Sequence, residues 1–166
     1  MKYIKAILGV TLLVLIDQLT KYWAATHLKG KEPIEILKNV FELNYLENQG
    51  AAFGIFQNQF TFLTIMTTII SVGLLFYFIK LPNDKRMNPM RIIIVFIWAG
   101  AIGNSIDRLS NQYVIDFLYF KLINFPIFNV ADCYVTVSLF ILAFLILFFY
   151  KDEELSWKAS KEKNKL

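Results

Sequence analysis

The chain contains one cysteine, Cys133, and one histidine, His27. A single thiol excludes an intrachain disulfide framework and any cysteine-rich metal site, and a single imidazole excludes a histidine-rich zinc site. With His27 as the sole imidazole, no Ser-His-Asp set is evident. A Cys133–His27 pair is the one thiol nucleophile left open. Each of the two sits at the membrane end of a different helix, so a small packed residue is the better account of Cys133. Charge is scarce as well, at 18% of 166 residues with a formal net charge of +4. The basic residues flank apolar runs and form no stripe interleaved with aromatics, so no nucleic-acid partner is expected. No clear A-x-A site follows the first apolar run, Ala6–Ile16, so that run reads as a retained helix and not as a cleaved signal peptide.

What the chain has in abundance is hydrocarbon. It is 57% hydrophobic, with a mean hydropathy of +0.50, which is too apolar for a soluble domain of this size. The expected fold is a polytopic α-helical membrane protein with four transmembrane helices and a small extracytoplasmic antiparallel sheet with loops. One domain is expected over 1–150, with helices at about 3–26, 60–80, 91–109 and 132–150, followed by a charged cytoplasmic tail, 151–166. Phe60–Ile79 is the clearest span, because it carries no charge over a length that crosses the hydrocarbon layer. Ile92–Ile106 is short and needs its flanking residues, but Ala99, Gly100 and Gly103 give it a small-residue face for close packing. In the 27–59 segment, Ile34-Glu35-Ile36 and Phe41–Leu46 alternate on either side of a Lys38-Asn39 turn. This predicts a hairpin lying on the membrane surface.

The basic residues set the topology. The N-terminal Lys2 and Lys5, the 80–91 loop and the tail hold eleven of the seventeen. By the positive-inside rule both termini face the cytoplasm, and the segments 27–59 and 107–132 lie outside. Asp107 then ends the third helix, Asp132 starts the fourth, Asp116 lies between them, and Asp17 occupies the outer half of the first. All four come to one depth near the outer interface, together with Asn48, Asn104, Arg108 and Asn129. Asp17 and Lys21 share a helix face and read as a structural ion pair. Carboxylates beside hydrocarbon cost roughly 2.5–3.5 kcal/mol each at the bilayer centre, less towards the interface. Two carboxylates held close together cannot both ionise easily, so one keeps a proton while the other can activate water. Such a pair predicts peptide hydrolysis at the membrane surface, with neither metal nor cofactor. The residues alone do not choose between Asp107 and Asp116 as the partner of Asp132.

Five blocks carry a resemblance: Asp17-Gln18-Leu19-Thr20-Lys21, Asn48-Gln49-Gly50-Ala51-Ala52-Phe53, Gly103-Asn104-Ser105-Ile106-Asp107-Arg108, Ile115-Asp116-Phe117 and Phe128-Asn129-Val130-Ala131-Asp132. In order and spacing they resemble the signature blocks of the lipoprotein signal peptidases, the type II signal peptidases of bacteria. The resemblance implies a four-helix aspartyl endopeptidase of the bacterial cytoplasmic membrane, with a small sheet cradle and a short helix on the outer side. It implies cleavage of prolipoproteins just before a diacylglyceryl-modified cysteine, with that substrate and the membrane lipids as partners. Matched block by block, Asp116 and Asp132 are the catalytic pair, and Asn104 and Asn129 orient them. Asn48, Gly50 and Arg108 are placed as supporting or substrate-binding, and Asp17, Lys21 and Asp107 as structural. The chain departs from the family pattern at Ile115, where valine is common, at Gln112, where glycine is common, and at Cys133, where serine or threonine is usual. Two rival readings are a small proton-coupled transporter working through Asp17 and a non-enzymatic scaffold subunit. The long outer segments weigh against the first.

Overall fold

The computed structural model describes residues 2–50, 59–151 and 154. Residues 51–54 of the glycine–alanine loop and most of the 151–166 tail, both singled out in the sequence, lie outside the described residues. In chain order the elements are α1 (Lys2–His27), β1 (Ile34–Leu37), β2 (Phe41–Asn48), α2 (Phe60–Lys80), α3 (Asn88–Asn111), β3 (Val114–Tyr119) and α4 (Val130–Phe144). Single 3-10 turns occupy Lys85–Met87 and Lys121–Ile123, and a π turn, Leu145–Phe149, prolongs α4. Four helical spans are long and apolar enough to cross a membrane: Lys2–His27, Thr61–Lys80, Lys85–Asn111 and Val130–Phe149. Helix is the conformation such apolar runs must take in lipid, where each backbone group has to be satisfied within its own segment.

Helix α3 is the hub, packing against α1, α2 and α4. It starts at Asn88, ahead of the expected position near 91, because Pro89 stands in its first turn, where a missing N–H costs nothing. It runs to Asn111 and ends on Gln112, whose φ of 67° is left-handed. The turn after α3 therefore keeps a glycine-like geometry although glutamine occupies it. Large apolar side chains on α1, α2 and α4 face outward, among them Leu8, Ile69 and Phe140, as expected of lipid-facing surfaces. The inner core of the bundle gathers Ala6, Phe78, Met87, Met90, Ile93, Ile94 and Ile97.

The sheet has three antiparallel strands in the order β1-β2-β3. The β1–β2 hairpin turns at Asn39, whose φ is 59°. The third strand was not anticipated; Ile115-Asp116-Phe117 reads in the sequence only as part of a connection. The cause is burial. Val114, Ile115, Asp116 and Phe117 are all buried, so the alternation that betrays a half-exposed strand is absent. The sheet packs through Ile115 and Phe117 onto Ala24 and Leu28 at the end of α1.

Two glycines allow α3 to meet its neighbours. A Cβ on Gly100 would lie 2.5 Å from the Ala131 carbonyl oxygen and 2.6 Å from Val135 Cγ2, and a Cβ on Gly103 would lie 2.5 Å from Asp17 Oδ2. Neither backbone nor a doubly held carboxylate yields cheaply. Gly73 of α2 has open space around it. Gly100→Ala and Gly103→Ala are expected to lower stability by about 1–3 kcal/mol. Gly73→Ala is expected to leave it unchanged or raise it by up to about 1 kcal/mol. Thermal unfolding of the three variants in detergent checks the contrast.

Candidate active site

The site grows from a lysine. Lys21 is buried in the C-terminal half of α1, and its ammonium lies 3.0 Å from Asp17 Oδ2 and 3.0 Å from Asp107 Oδ2. It also donates to Asn104 Oδ1 at 2.8 Å. Each carboxylate then reaches further. Asp17 Oδ1 accepts from the Ala131 N–H at 2.9 Å, which ties α1 to the first turn of α4. Asp107 Oδ2 accepts from the Ile115 N–H at 3.1 Å, which clasps β3 beside Asp116. Gln18 Nε2 lies 3.2 Å from Asp17 Oδ2, 3.1 Å from Asp107 Oδ1 and 3.2 Å from the Gly103 carbonyl. The sequence reading quoted Gln18 without giving it a task. No local signal marks it, since neighbouring residues on a helix do not share a face.

Asn129 forms the second centre. It is fully buried in an extended conformation and caps α4, with Asp132 at the third helical position completing a capping box. Its Oδ1 accepts from the Asp132 N–H at 3.0 Å, and its own N–H donates to Asp132 Oδ2 at 3.1 Å. Its Nδ2 donates to Asp116 Oδ1 at 2.6 Å and to Asn104 Oδ1 at 3.1 Å. Asn104 Nδ2 donates to Asp132 Oδ1 at 2.8 Å. From the sheet, Asn48 Nδ2 donates to Asp116 Oδ2 at 2.8 Å, while the Gly50 N–H donates to Asn48 Oδ1 at 2.9 Å. All four carboxylate oxygens of Asp116 and Asp132 thus accept one N–H each. Every oxygen keeps a second lone pair for a proton or a water.

The two acids sit in different surroundings. Asp116 is 1% exposed, whereas Asp132 is partly open. Burial, with the nearby Asp132 charge adding to it, pushes the Asp116 carboxyl up to about 7 against the opposing bonds from Asn48 and Asn129. The Arg108 guanidinium, half-buried at the end of α3, feels the charges of Asp132, Asp116 and Asp107. Among the described residues it has no hydrogen-bond or ion-pair partner. Also among the described residues, no three His, Cys, Asp or Glu side chains gather in a way that could hold a metal ion. His27 is engaged elsewhere: its ring stacks on Trp23 at 5.2 Å and its Nδ1 meets the Trp23 carbonyl and the Thr26 hydroxyl. Cys133 is not among its partners.

The structure therefore brings Asp116, Asp132, Asn104, Asn129 and Asn48 into one hydrogen-bonded cluster. It sets Asp17, Lys21 and Asp107 directly behind that cluster. Asp107 is occupied on both oxygens, by Gln18 on Oδ1 and by Lys21 and the Ile115 N–H on Oδ2.

A polytopic membrane bundle holding two carboxylates in one polar cluster is the architecture of a membrane-embedded aspartic peptidase, and the comparisons with known proteins bear on that class directly. The chain belongs to the signal peptidase II family: the family model described as Signal peptidase (SPase) II matches residues 9–148. It is similar to the lipoprotein signal peptidase of Clostridium novyi, 44% identical over 137 residues that cover 81% of this chain and 91% of that protein. The lipoprotein signal peptidase of Caldanaerobacter subterraneus is 42% identical over 144 residues, covering 86% of this chain and 96% of that protein. A solved structure described as a bacterial membrane enzyme superposes with a TM-score of 0.77 at 35% identity, covering 86% of this chain and 87% of that one. The protein is thus an aspartic peptidase of the bacterial membrane, crossing it several times.

Lys21→Met would leave Asp17 and Asp107 buried and uncompensated. The expected loss of stability is about 3–5 kcal/mol, the usual result of breaking one side of a buried ion pair. Lys21→Met combined with Asp17→Asn and Asp107→Asn should recover part of it, because no net charge then remains in the cluster. Thermal unfolding in detergent measures both.

Proposed function

We propose that the chain removes the signal peptide from bacterial prolipoproteins, cutting before a diacylglyceryl-modified cysteine, with Asp116 and Asp132 as its catalytic pair. The observation that carries the pairing is the matched set of four N–H donors, one to each carboxylate oxygen. Asp107, the other candidate, is spent on Lys21, Gln18 and the Ile115 N–H. Asp17 is fully buried and held by Lys21, Gln18 and the Ala131 N–H, which suits a brace and not the proton carrier of a transporter.

The unequal surroundings suggest unequal roles. Asp116, buried and raised to about 7, holds the proton of the pair and donates a hydrogen bond to the scissile carbonyl oxygen. Asp132, more open, is the ionised base that takes a proton from water as its oxygen attacks the carbonyl carbon. The proton then passes to the leaving amine as the tetrahedral intermediate collapses, and Asp132 is ready again. Apparent pKa values belong to the pair as a unit. Arg108 is free to bind substrate carbonyls with its fork. Asn48 and Gly50 hold the wall where β2 meets the Asp116 face, and the peptide lies along that wall.

Both termini are assigned to the cytoplasm and the site to the extracytoplasmic interface. The support is the basic flanks of the helices and the position of all four acids at one end of the bundle. Helix α2 packs chiefly on α3 and leaves large apolar side chains such as Ile69, Ile70 and Phe76 exposed. A lipid-anchored substrate stays in the bilayer and needs lateral access along an apolar surface of this kind.

Cleavage of a diacylglyceryl-modified prolipoprotein peptide in detergent tests the reading. Asp116→Asn and Asp132→Asn should each fold and each lose about 10²–10⁴-fold in kcat, the range that general acid–base groups contribute. Because the Asp116 proton is required, wild-type kcat/KM should fall as pH rises through about 7. Wild-type turnover in either variant would overturn the pairing, and a rate rising steadily through that range would reverse the two roles.

A further inference from the structure

The outer end of the sheet carries an apolar tip that the peptidase chemistry does not use. In the loop after β3, Leu122 is 69% exposed and Ile123 68% exposed. Leu37, at the end of β1, is 59% exposed. These residues form one structure, because the Leu122 N–H donates to the Val40 carbonyl at 3.3 Å and so ties the loop to the β1–β2 turn. An aromatic base supports the tip: Phe120 stands 5.1 Å from Phe41 and 5.6 Å from Phe128, and Phe125 stands 5.7 Å from Phe128. Lys121 turns back to Glu35 and Glu42 and offsets one of the two negative charges next to the tip. Lys38, exposed in the adjoining turn, adds a cation beside the apolar residues.

The topology says what lies next to this tip. Phe128 pairs with Leu118 at the root of the loop and precedes the first residue of the spanning helix α4 by two positions. Two residues reach at most about 7 Å, so the root lies within the interfacial layer of the bilayer, some 5–8 Å deep on each side. The five residues from Phe128 to Ile123 span at most about 17 Å. A rigid tip so close to lipid meets either water or the headgroup–acyl boundary. Leucine and isoleucine at about two-thirds exposure, with a lysine able to reach phosphate from beside them, match the boundary.

We propose that the loop Phe120–Phe125, with Leu37 and Lys38 of the neighbouring turn, inserts into the headgroup–acyl boundary of the bilayer and serves as a membrane anchor separate from the four helices. The occupant is phospholipid, the acyl chains meeting Leu122 and Ile123 and the phosphates meeting Lys38. The anchor holds β2 and β3 level with the membrane surface, and with them Asn48 and Asp116. It depends on the membrane topology alone and not on the assignment of the catalytic pair.

The test uses the full chain in a Cys133→Ser background, with a nitroxide attached at Ile123→Cys or, separately, at Leu122→Cys. The protein is reconstituted in vesicles of phosphatidylcholine and phosphatidylglycerol. Accessibility of the label to oxygen and to a water-soluble nickel chelate is compared with that of a label at Val137→Cys, on the outward face of α4. High oxygen and low chelate accessibility at both tip positions, approaching the Val137 reference, is the expected result. Chelate accessibility like that of free label in buffer would overturn the proposal. Protection from both reagents would overturn it too, since it would mean that protein covers the tip and not lipid. Both positions are open enough that labelling leaves the core untouched.

Discussion

A single buried ammonium holds the polar end of this bundle together. Lys21 is 1% exposed, and an isolated charge in such a place would cost many kcal/mol. It is kept there by Asp17 from its own helix and by Asp107 and Asn104 from α3. The carboxylates that neutralise it also do the joining. Through Asp17 the α4 backbone is fixed at Ala131, and through Asp107 the β3 backbone is fixed at Ile115. One charge thereby sets the mutual position of three helices and a strand. The backbone points it fixes are each one residue from a member of the carboxylate pair.

The same lysine dictates the direction of the amides in front of it. An ammonium only donates, so Asn104 must turn its oxygen toward Lys21 and its Nδ2 toward Asp132. Asn129 spends its oxygen on the Asp132 N–H, so its Nδ2 faces Asp116. Asn48 spends its oxygen on the Gly50 N–H, with the same consequence. None of the three amides is free to flip without losing a hydrogen bond in a buried or half-buried place. The proposed catalytic pair therefore meets a fixed array of donors, the kind of preorganisation that electrostatic catalysis relies on. The N-terminus of α4 contributes in the same direction. The N–H groups at this end favour negative charge: the Asn129 N–H donates to Asp132 Oδ2 and the Ala131 N–H donates to Asp17 Oδ1.

Much of this was legible in the sequence, for physical reasons. A charge-free run such as Phe60–Ile79 has one conformation open to it in lipid, so the spanning helices follow from composition. The i, i+4 spacing of Asp17 and Lys21 placed them on one face, and the small residues of α3 marked a close contact. The Ile34–Leu46 alternation marked a hairpin, although β1 is exposed on both faces. Other features left no periodic trace. Strand β3 is buried on both sides and so reads as a short apolar run. Gln18 acts across a helix interface, and nothing local distinguishes it from a surface glutamine. The choice between Asp107 and Asp116 is also tertiary, because it turns on which carboxylate Lys21 consumes. At the sequence level that choice came from the family pattern, and as a proposal it is supported by the bonds that occupy Asp107.

The division of labour among the helices explains how so polar a cluster is tolerated in an apolar chain. All the polar contacts of the site come from α1, α3, the start of α4 and the sheet, while α2 contributes none and packs chiefly on α3. The polar side is closed on itself. Among the described residues, Thr64 Oγ1 and Arg91 Nε are the buried side-chain polar atoms without a partner, and neither belongs to the cluster. A polar network that satisfies its own members adds rigidity beside lipid, whereas a partly satisfied one would be a liability. Because α2 has no part in the network, its apolar flanks can meet acyl chains without disturbing the pair. The proposed reaction, on a chain anchored in the bilayer, would need a fixed polar corner and an apolar side facing lipid, and different helices of this bundle would supply the two.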